Sequence, residues 1–359
     1  MPKYFYSFIF LLVFSPEKIL SQTKFIPFSD KHISYEGRIP YTNDAAILSW
    51  PGVSVKINFK GTGISGTFKD QDTSNYYNII IDNDSMYEIQ FDTAKKTVAL
   101  ASHLSYGKHS IELFKRTEWD KGKTFFYGFE FNEKNKLLKP SKLPKRKIEF
   151  FGNSITCGYA INDPTGNSPK GYYENNYDDY AAITARYFNA QYHCTSKSGI
   201  GIMVSWFPLI MPEMYNRLDP TDSTSKWDFS KYTPDVVVIN LLQNDSWIVK
   251  LPDNPQFKHR FGTKAPDSTF IINAYKNFVQ TIRNTYPNAQ IICMLGNMDI
   301  TREGSPWSGY VQEAVDELHD GKIFTYIALY KETPGHPVVK EQQTLADGLI
   351  KFIDQHINW

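Results

Sequence analysis

Four short blocks of this chain carry the residue types that acyl transfer needs. Ser154 directly follows the apolar run KIEFFGN, and a stretch that can turn helical comes next. A hydroxyl there would stand at the edge of a sheet, beside the free N–H groups that open a helix and suit a developing oxyanion. The same serine could equally be an ordinary helix cap. Gly199, in SKSGIGI, would let a backbone N–H approach a ligand with no side chain in the way, or simply serve a turn. Asn244, in QNDSW, could donate its amide to the same oxyanion, or act as a turn or cap residue. His336, in ETPGHPVV, precedes Pro337 and is held extended, so it could reach over the sheet edge to the loop of Ser154, or be a bystander in its own loop. A hydroxyl, candidate oxyanion donors and an imidazole are the residue types from which acyl transfer is built.

The elements that must position these blocks alternate. From Lys147 the strand-like runs are KIEFFGNS, AQYHCTSKSG, VVVINLL, QIICMLG and KIFTYIAL. Helical stretches lie between and after them: DDYAAITARYF with Asp178 or Asp179 near its start, then about 270–286, 308–319 and 339–356. Apolar strands alternating with helices imply a parallel sheet covered on both faces. In such sheets function gathers beyond the carboxyl ends of the strands. All four blocks fall at strand exits, which makes coincidence a poor explanation.

The first part of the chain reads differently. Between Phe25 and Phe131, short strands such as GVSVKINFKG, YYNIIID, YEIQF, KTVAL, HSIELFKR and FFYGFEF are separated by polar turns. In the first of these, Val53, Val55, Ile57 and Phe59 alternate with polar residues, as in a strand with one buried face. The expectation is an all-β sandwich or jelly roll over 25–133. A Lys-rich stretch with Pro140 and Pro144 (134–147) reads as a linker, and 148–359 as the second domain. Lys3 followed by the apolar run from Tyr4 to Phe14 reads as a signal peptide over 1–21, with Ser21 as the cleavage residue. That run is too short to span a bilayer comfortably, and no other stretch is long and apolar enough. A secreted or periplasmic protein is therefore expected. No Cys follows the run, so a lipid-anchored N-terminus is not expected.

Net charge is +1, and no basic run carries interleaved aromatics, so nothing supports nucleic-acid binding. Three cysteines, Cys157, Cys194 and Cys293, make no disulfide framework. The 8 histidines include no pair three or four residues apart, so neither a metal nor another cofactor is called for. No signal bears on oligomeric state.

The blocks GNSIT, SGIG, QND and GHP, in this order, resemble those of the SGNH (GDSL-type) hydrolases. The resemblance implies Ser154 as nucleophile and His336 as base. It implies an oxyanion hole from the Ser154 and Gly199 N–H groups and the Asn244 side chain. The two-domain layout is similar to carbohydrate esterase family 2, with ISYEGRIPYTNDAAILSWPGVSVKINFKGTGISGTF resembling the start of its jelly roll. That implies a jelly roll before an α/β/α domain with a five-stranded sheet, and removal of acetyl groups from plant-type polysaccharides or oligosaccharides. The family's preference for the 6-position of hexoses extends the expectation.

Three features depart from the pattern. Thr333 stands where many of these enzymes have an Asp three residues before the His, and the neighbouring acid is Glu332, so a dyad oriented by a backbone carbonyl is expected. Asn153 replaces the usual Asp before the nucleophile, and Leu242-Gln243 replaces Gly-Thr before the third-block Asn. Trp247 and Trp307 are candidates for a sugar-stacking wall, with a buried packing role as the alternative for each. The strand order usual for the fold, 2-1-3-4-5, separates Cys194 from Cys293 and predicts no disulfide between them. Two other readings remain open at this level: an esterase for lipid or other small acyl esters, and a catalytically silent glycan-binding protein.

Overall fold

The computed structural model describes residues 23–132 and 134–359, so the expected signal peptide lies outside the described residues. Two antiparallel sheets form the N-terminal part. One runs β1 (Thr23–Pro27), β10 (Thr124–Asn132), β5 (Ile64–Asp70), β8 (Lys96–Ala101), with β3 (Ala46–Leu48) also on β10. The other runs β11 (Lys136–Leu137), β4 (Ser54–Gly61), β9 (Gly107–Lys115), β6 (Tyr77–Ile81), β7 (Ser85–Ile89), with β2 (Ile33–Glu36) also on β4. Alternation explains β4: Val55, Ile57 and Phe59 are buried while Lys56, Asn58 and Lys60 are only partly so. The expected linker is partly structured. Lys136 and Leu137 pair with Lys60 and Phe59, so the connection shrinks to 138–145.

The second part is a parallel sheet in the order β13 (Ala190–Ser196), β12 (Arg146–Gly152), β14 (Val236–Asn240), β15 (Gln290–Leu295), β16 (Ile323–Ile327). This is the expected 2-1-3-4-5. Alternate residues of each strand face opposite layers. Val236 and Val238 pack with α2 (Tyr180–Tyr187) and α8 (Val339–His356). Val237 and Ile239 pack with α6 (Ser268–Thr285) and α7 (Trp307–Asp316). Shorter helices follow strand exits: α1 (Ser154–Cys157), α3 (Met211–Met214), α4 (Gln243–Ile248) and α5 (Pro255–Phe261). Asp179 caps α2, its Oδ1 accepting the Ala182 N–H at 2.8 Å.

One apolar cluster runs from the sandwich interior into the α6/α7 face of the parallel sheet. A buried ion pair crosses the same boundary: Arg38 Nη2 donates to Glu149 Oε1 at 2.8 Å, and Arg38 Nη1 donates to the Tyr215 and Arg217 carbonyls at 2.6 and 2.9 Å. The Tyr286 hydroxyl donates to the other Glu149 oxygen at 2.5 Å. With its acceptors filled, this pair fixes how the two parts meet. The cysteines are free and buried, and β12 and β14 stand between Cys194 on β13 and Cys293 on β15.

Candidate active site

Ser154 opens α1, but the cap is the residue before it. Asn153 Oδ1 accepts the Ile155 N–H at 3.0 Å, which leaves the Ser154 hydroxyl free for other work. Ser154 Oγ lies 2.9 Å from His336 Nε2. His336 Nδ1 lies 3.1 Å from the Gly166 carbonyl, which also accepts the His336 N–H at 2.8 Å. A carbonyl can only accept, so Nδ1 carries the proton and Nε2 is left as the acceptor for the serine hydroxyl. The Tyr159 ring packs against the imidazole at 4.7 Å between centroids.

The loop that presents Gly166 is held by Asp163. Its carboxylate accepts from Thr165 Oγ1 at 2.5 Å and from the Asn167 and Ser168 N–H groups at 3.0 Å each, which lowers its own pKa. Gly166 has φ +66°, and a Cβ there would sit 2.4 Å from the His336 carbonyl oxygen. Only glycine fits that approach. Thr333 does not orient the histidine: its hydroxyl is engaged with Lys331 Nζ at 2.7 Å and with Glu341. Glu332 is exposed.

Burial lowers the pKa of His336; the Gly166 carbonyl and the charge of Glu118 oppose this, and Lys331 adds to it. A general base must be neutral, and a lowered pKa keeps it neutral to lower pH. The acid limb of the kcat/KM profile is therefore expected below the ordinary histidine value of about 6.5. A pH–rate profile with its acid limb at or above that value would contradict this electrostatic picture.

Gly199 has φ +83° in the loop after β13. Asn244, on α4, is buried; its Nδ2 donates to the Ile200 carbonyl at 2.8 Å, and its Oδ1 accepts from Trp206 Nε1 at 3.1 Å. An indole nitrogen only donates, so Trp206 fixes the amide with its NH2 toward the Gly199 loop. The second Nδ2 hydrogen then remains for a ligand. Asp245, the next residue, ties that loop to α4. Its carboxylate accepts the Ile202, Met203 and Val204 N–H groups at 3.0, 2.7 and 3.1 Å. Burial nonetheless pushes its pKa up to about 6. Asp245→Ala leaves three buried donors without acceptors, at ~1–3 kcal/mol each. A loss of about 3 kcal/mol or more is expected in denaturant unfolding, and an unchanged midpoint would show that the loop does not depend on this carboxylate.

Leu242, standing where the resembling family has Gly, adopts φ +75°. A left-handed non-glycine residue costs about 1–2 kcal/mol. Its side chain is fully buried in the core, which offsets that with ~1.5–3 kcal/mol. The following Gln243 donates to Asp299 at 2.8 Å.

Of the two tryptophans considered for a sugar wall, Trp307 is buried and Trp247 is half-buried. Trp307 is 4% exposed, opens α7 and packs into the core, so the wall reading is corrected to the packing role that was its alternative. The indole Nε1 of Trp247 donates to both Asp299 oxygens at 3.0 and 2.9 Å, and its ring packs against the opposite core layer, the one under α2 and α8. Trp206 is the exposed aromatic beside the site, at 45%. Its sequence signal was its position in the same strand exit as Gly199.

Among the described residues, one acidic group is close enough to ligate a cation: Glu118, Asp120 and Glu174. Ammonium groups already fill it. Lys197 Nζ lies 3.3 and 2.8 Å from Glu118 and Asp120, and Lys121 Nζ lies 3.2 and 3.0 Å from Asp120 and Glu174.

Serine carboxylic ester hydrolases are the class that this fold and this centre define together. Relatives narrow it. Residues 35–140 match the family model for the carbohydrate esterase 2 N-terminal domain, and residues 150–352 match the GDSL-like lipase/acylhydrolase family. The chain belongs to the GDSL-like lipase/acylhydrolase family and, within it, to carbohydrate esterase family 2. It is 35% identical over 91% of its length to a cellulase/esterase, CelE, of Acetivibrio thermocellus, and spans 40% of that relative's own length. An acetylxylan esterase/glucomannan deacetylase of Cellvibrio japonicus is 27% identical, with 96% of this chain and 94% of that protein covered. Among solved structures, a family two carbohydrate esterase from Clostridium thermocellum in complex with cellohexaose superposes with TM-score 0.79 at 34% identity, covering 90% of this chain and 98% of that one. A family two carbohydrate esterase from Cellvibrio japonicus gives TM-score 0.82 at 25% identity, covering 93% and 98%.

Proposed function

We propose that this chain is an exported carbohydrate O-acetylesterase that works through a Ser154–His336 dyad. The observation that carries the reading is the relay from Ser154 Oγ to His336 Nε2 at 2.9 Å and from Nδ1 to the Gly166 carbonyl at 3.1 Å. His336 takes the Ser154 proton as Oγ attacks the acetyl carbonyl, and the resulting imidazolium protonates the departing sugar oxygen. Water, deprotonated by the same His336, then attacks the acetyl-serine; acetate leaves and Ser154 regains its proton. The Ser154 and Gly199 N–H groups and the Asn244 amide hold the oxyanion in both halves.

Relatives with acetylxylan esterase and glucomannan deacetylase in their names support acetylated plant-type polysaccharide as the substrate class. The exposed Trp206 ring offers a face for a sugar beside the oxyanion donors. Acetyl at the 6-position of hexoses is the linkage we assign, on the strength of membership of carbohydrate esterase family 2 alone. Export rests on Lys3 and the apolar run after it.

The test is acetate release from 4-nitrophenyl acetate and butyrate, acetylated xylan and acetylated glucomannan. Acetyl preferred over butyryl, with release from at least one glycan, is the expected result. Butyryl preferred, with no release from any glycan, would move the assignment to small acyl esters.

A further inference from the structure

The sandwich reaches the active-site edge through the segment after β9. Glu118 in that segment is fully buried, and its Oε2 accepts the Ser198 N–H at 2.8 Å. Ser198 is the residue before Gly199. The same oxygen lies 3.3 Å from Lys197 Nζ, which donates to Asp120 Oδ2 at 2.8 Å. Glu118 is itself held: its N–H donates to Glu174 Oε2 at 3.1 Å, and Lys115 Nζ donates to its carbonyl at 3.2 Å. Gly199 takes a left-handed φ, where a glycine backbone has the most freedom to lose. An oxyanion donor works only if it is already aimed when charge develops. The loop beyond Gly199 is tied from within the hydrolase part by Asp245, whereas the peptide before it is tied from the sandwich.

Resting on the reading of this chain as a serine esterase, we propose that Glu118 of the sandwich is a positioning residue of the esterase site, its carboxylate holding the Ser198 amide so that the adjoining Gly199 N–H faces the oxyanion. The sandwich is then a working part of the hydrolase. The acceptor matters more than the charge, because Lys197 already balances the charge. Gln at 118 keeps an oxygen toward Ser198 and puts its NH2 where Glu118 Oε1 now has no hydrogen-bond partner. Ala removes the acceptor.

The experiment measures kcat and KM for 4-nitrophenyl acetate on the full chain, per competent site counted with a fluorophosphonate. The proteins are wild type, Glu118→Gln and Glu118→Ala. Misplacing a reacting group by about 1 Å can cost about 10²-fold. Glu118→Ala is expected to lose up to about that factor in kcat with KM nearly unchanged, and Glu118→Gln is expected to lose clearly less. A purely structural ion pair would weaken both variants alike, so equal losses overturn the proposal, as does Glu118→Ala with kcat within about twofold of wild type. If Glu118→Ala does not fold, Glu118→Ala/Lys197→Met also removes the ammonium that would be left with Asp120 as its one carboxylate partner, and is compared with Glu118→Gln/Lys197→Met under the same criteria. Amide exchange at Ser198 in the unmodified protein needs no variant: protection matching the core supports the anchor, and exchange at loop rates overturns it. An inactive wild type would sink the esterase reading instead, a different outcome from any of these.

Discussion

Ser154→Ala is expected to lower kcat for acetyl esters by at least about 10⁴-fold while leaving the fold unchanged. The hydroxyl makes its hydrogen bond to His336, and the helix it opens is capped by Asn153, so the substitution takes nothing from the scaffold. What remains is an oxyanion hole and a base with no nucleophile between them. Such remnants still exceed the uncatalysed reaction by about 10³–10⁴-fold in a well-studied serine hydrolase, so residual turnover is expected to be small but not zero. Rates with unchanged thermal unfolding check the prediction, and a variant with a tenth of wild-type kcat or more would remove Ser154 from the chemistry.

His336→Ala is expected to cost a similar factor, because serine at its ordinary acidity is a poor nucleophile without a base. The two losses should not add. Ser154→Ala/His336→Ala should be no slower than either single variant, since residues that act as one unit fail as one. Steady-state kinetics on the three variants give the answer. If the double variant multiplies the two losses, the residues act independently and the dyad is wrong. The carbonyl anchor sets a further limit. Gly166 fixes the tautomer as an aspartate would, but carries no full charge to stabilise the imidazolium.

Much of the scaffold was legible because periodicity reports burial. The strand-rich first part, the alternating second part and the run of α8 all follow from apolar spacing. The pairing of Lys136 and Leu137 with β4 was hidden by lysines and prolines that resemble a linker, because an edge strand of two residues has no period to show. The site divides along the same line. The candidates Ser154, Gly199, Asn244 and His336 stand out in the sequence because they follow strands, and the structure brings Ser154 and His336 within 2.9 Å. The partner that orients His336 does not, since Gly166 lies 170 residues away in sequence and contributes only a carbonyl. A backbone atom leaves no mark in composition. For Trp307 the sequence left a sugar wall and a packing role both open, because an aromatic in a polar stretch shows no burial pattern, and its burial at the start of α7 decides for packing. Leu242 departs from the glycine expected there, and core burial of its side chain shows why the strain is tolerated.

The central claim, an acetyl group passing through Ser154, is tested most directly by trapping it. Enzyme mixed with excess 4-nitrophenyl acetate is quenched in acid within the first turnovers, digested and mapped by mass spectrometry. The account predicts acetyl on the peptide carrying Ser154, formed in step with the nitrophenol burst and absent in Ser154→Ala. Nitrophenol release at full rate with no acetyl on Ser154, or with acetyl on another side chain, would contradict it.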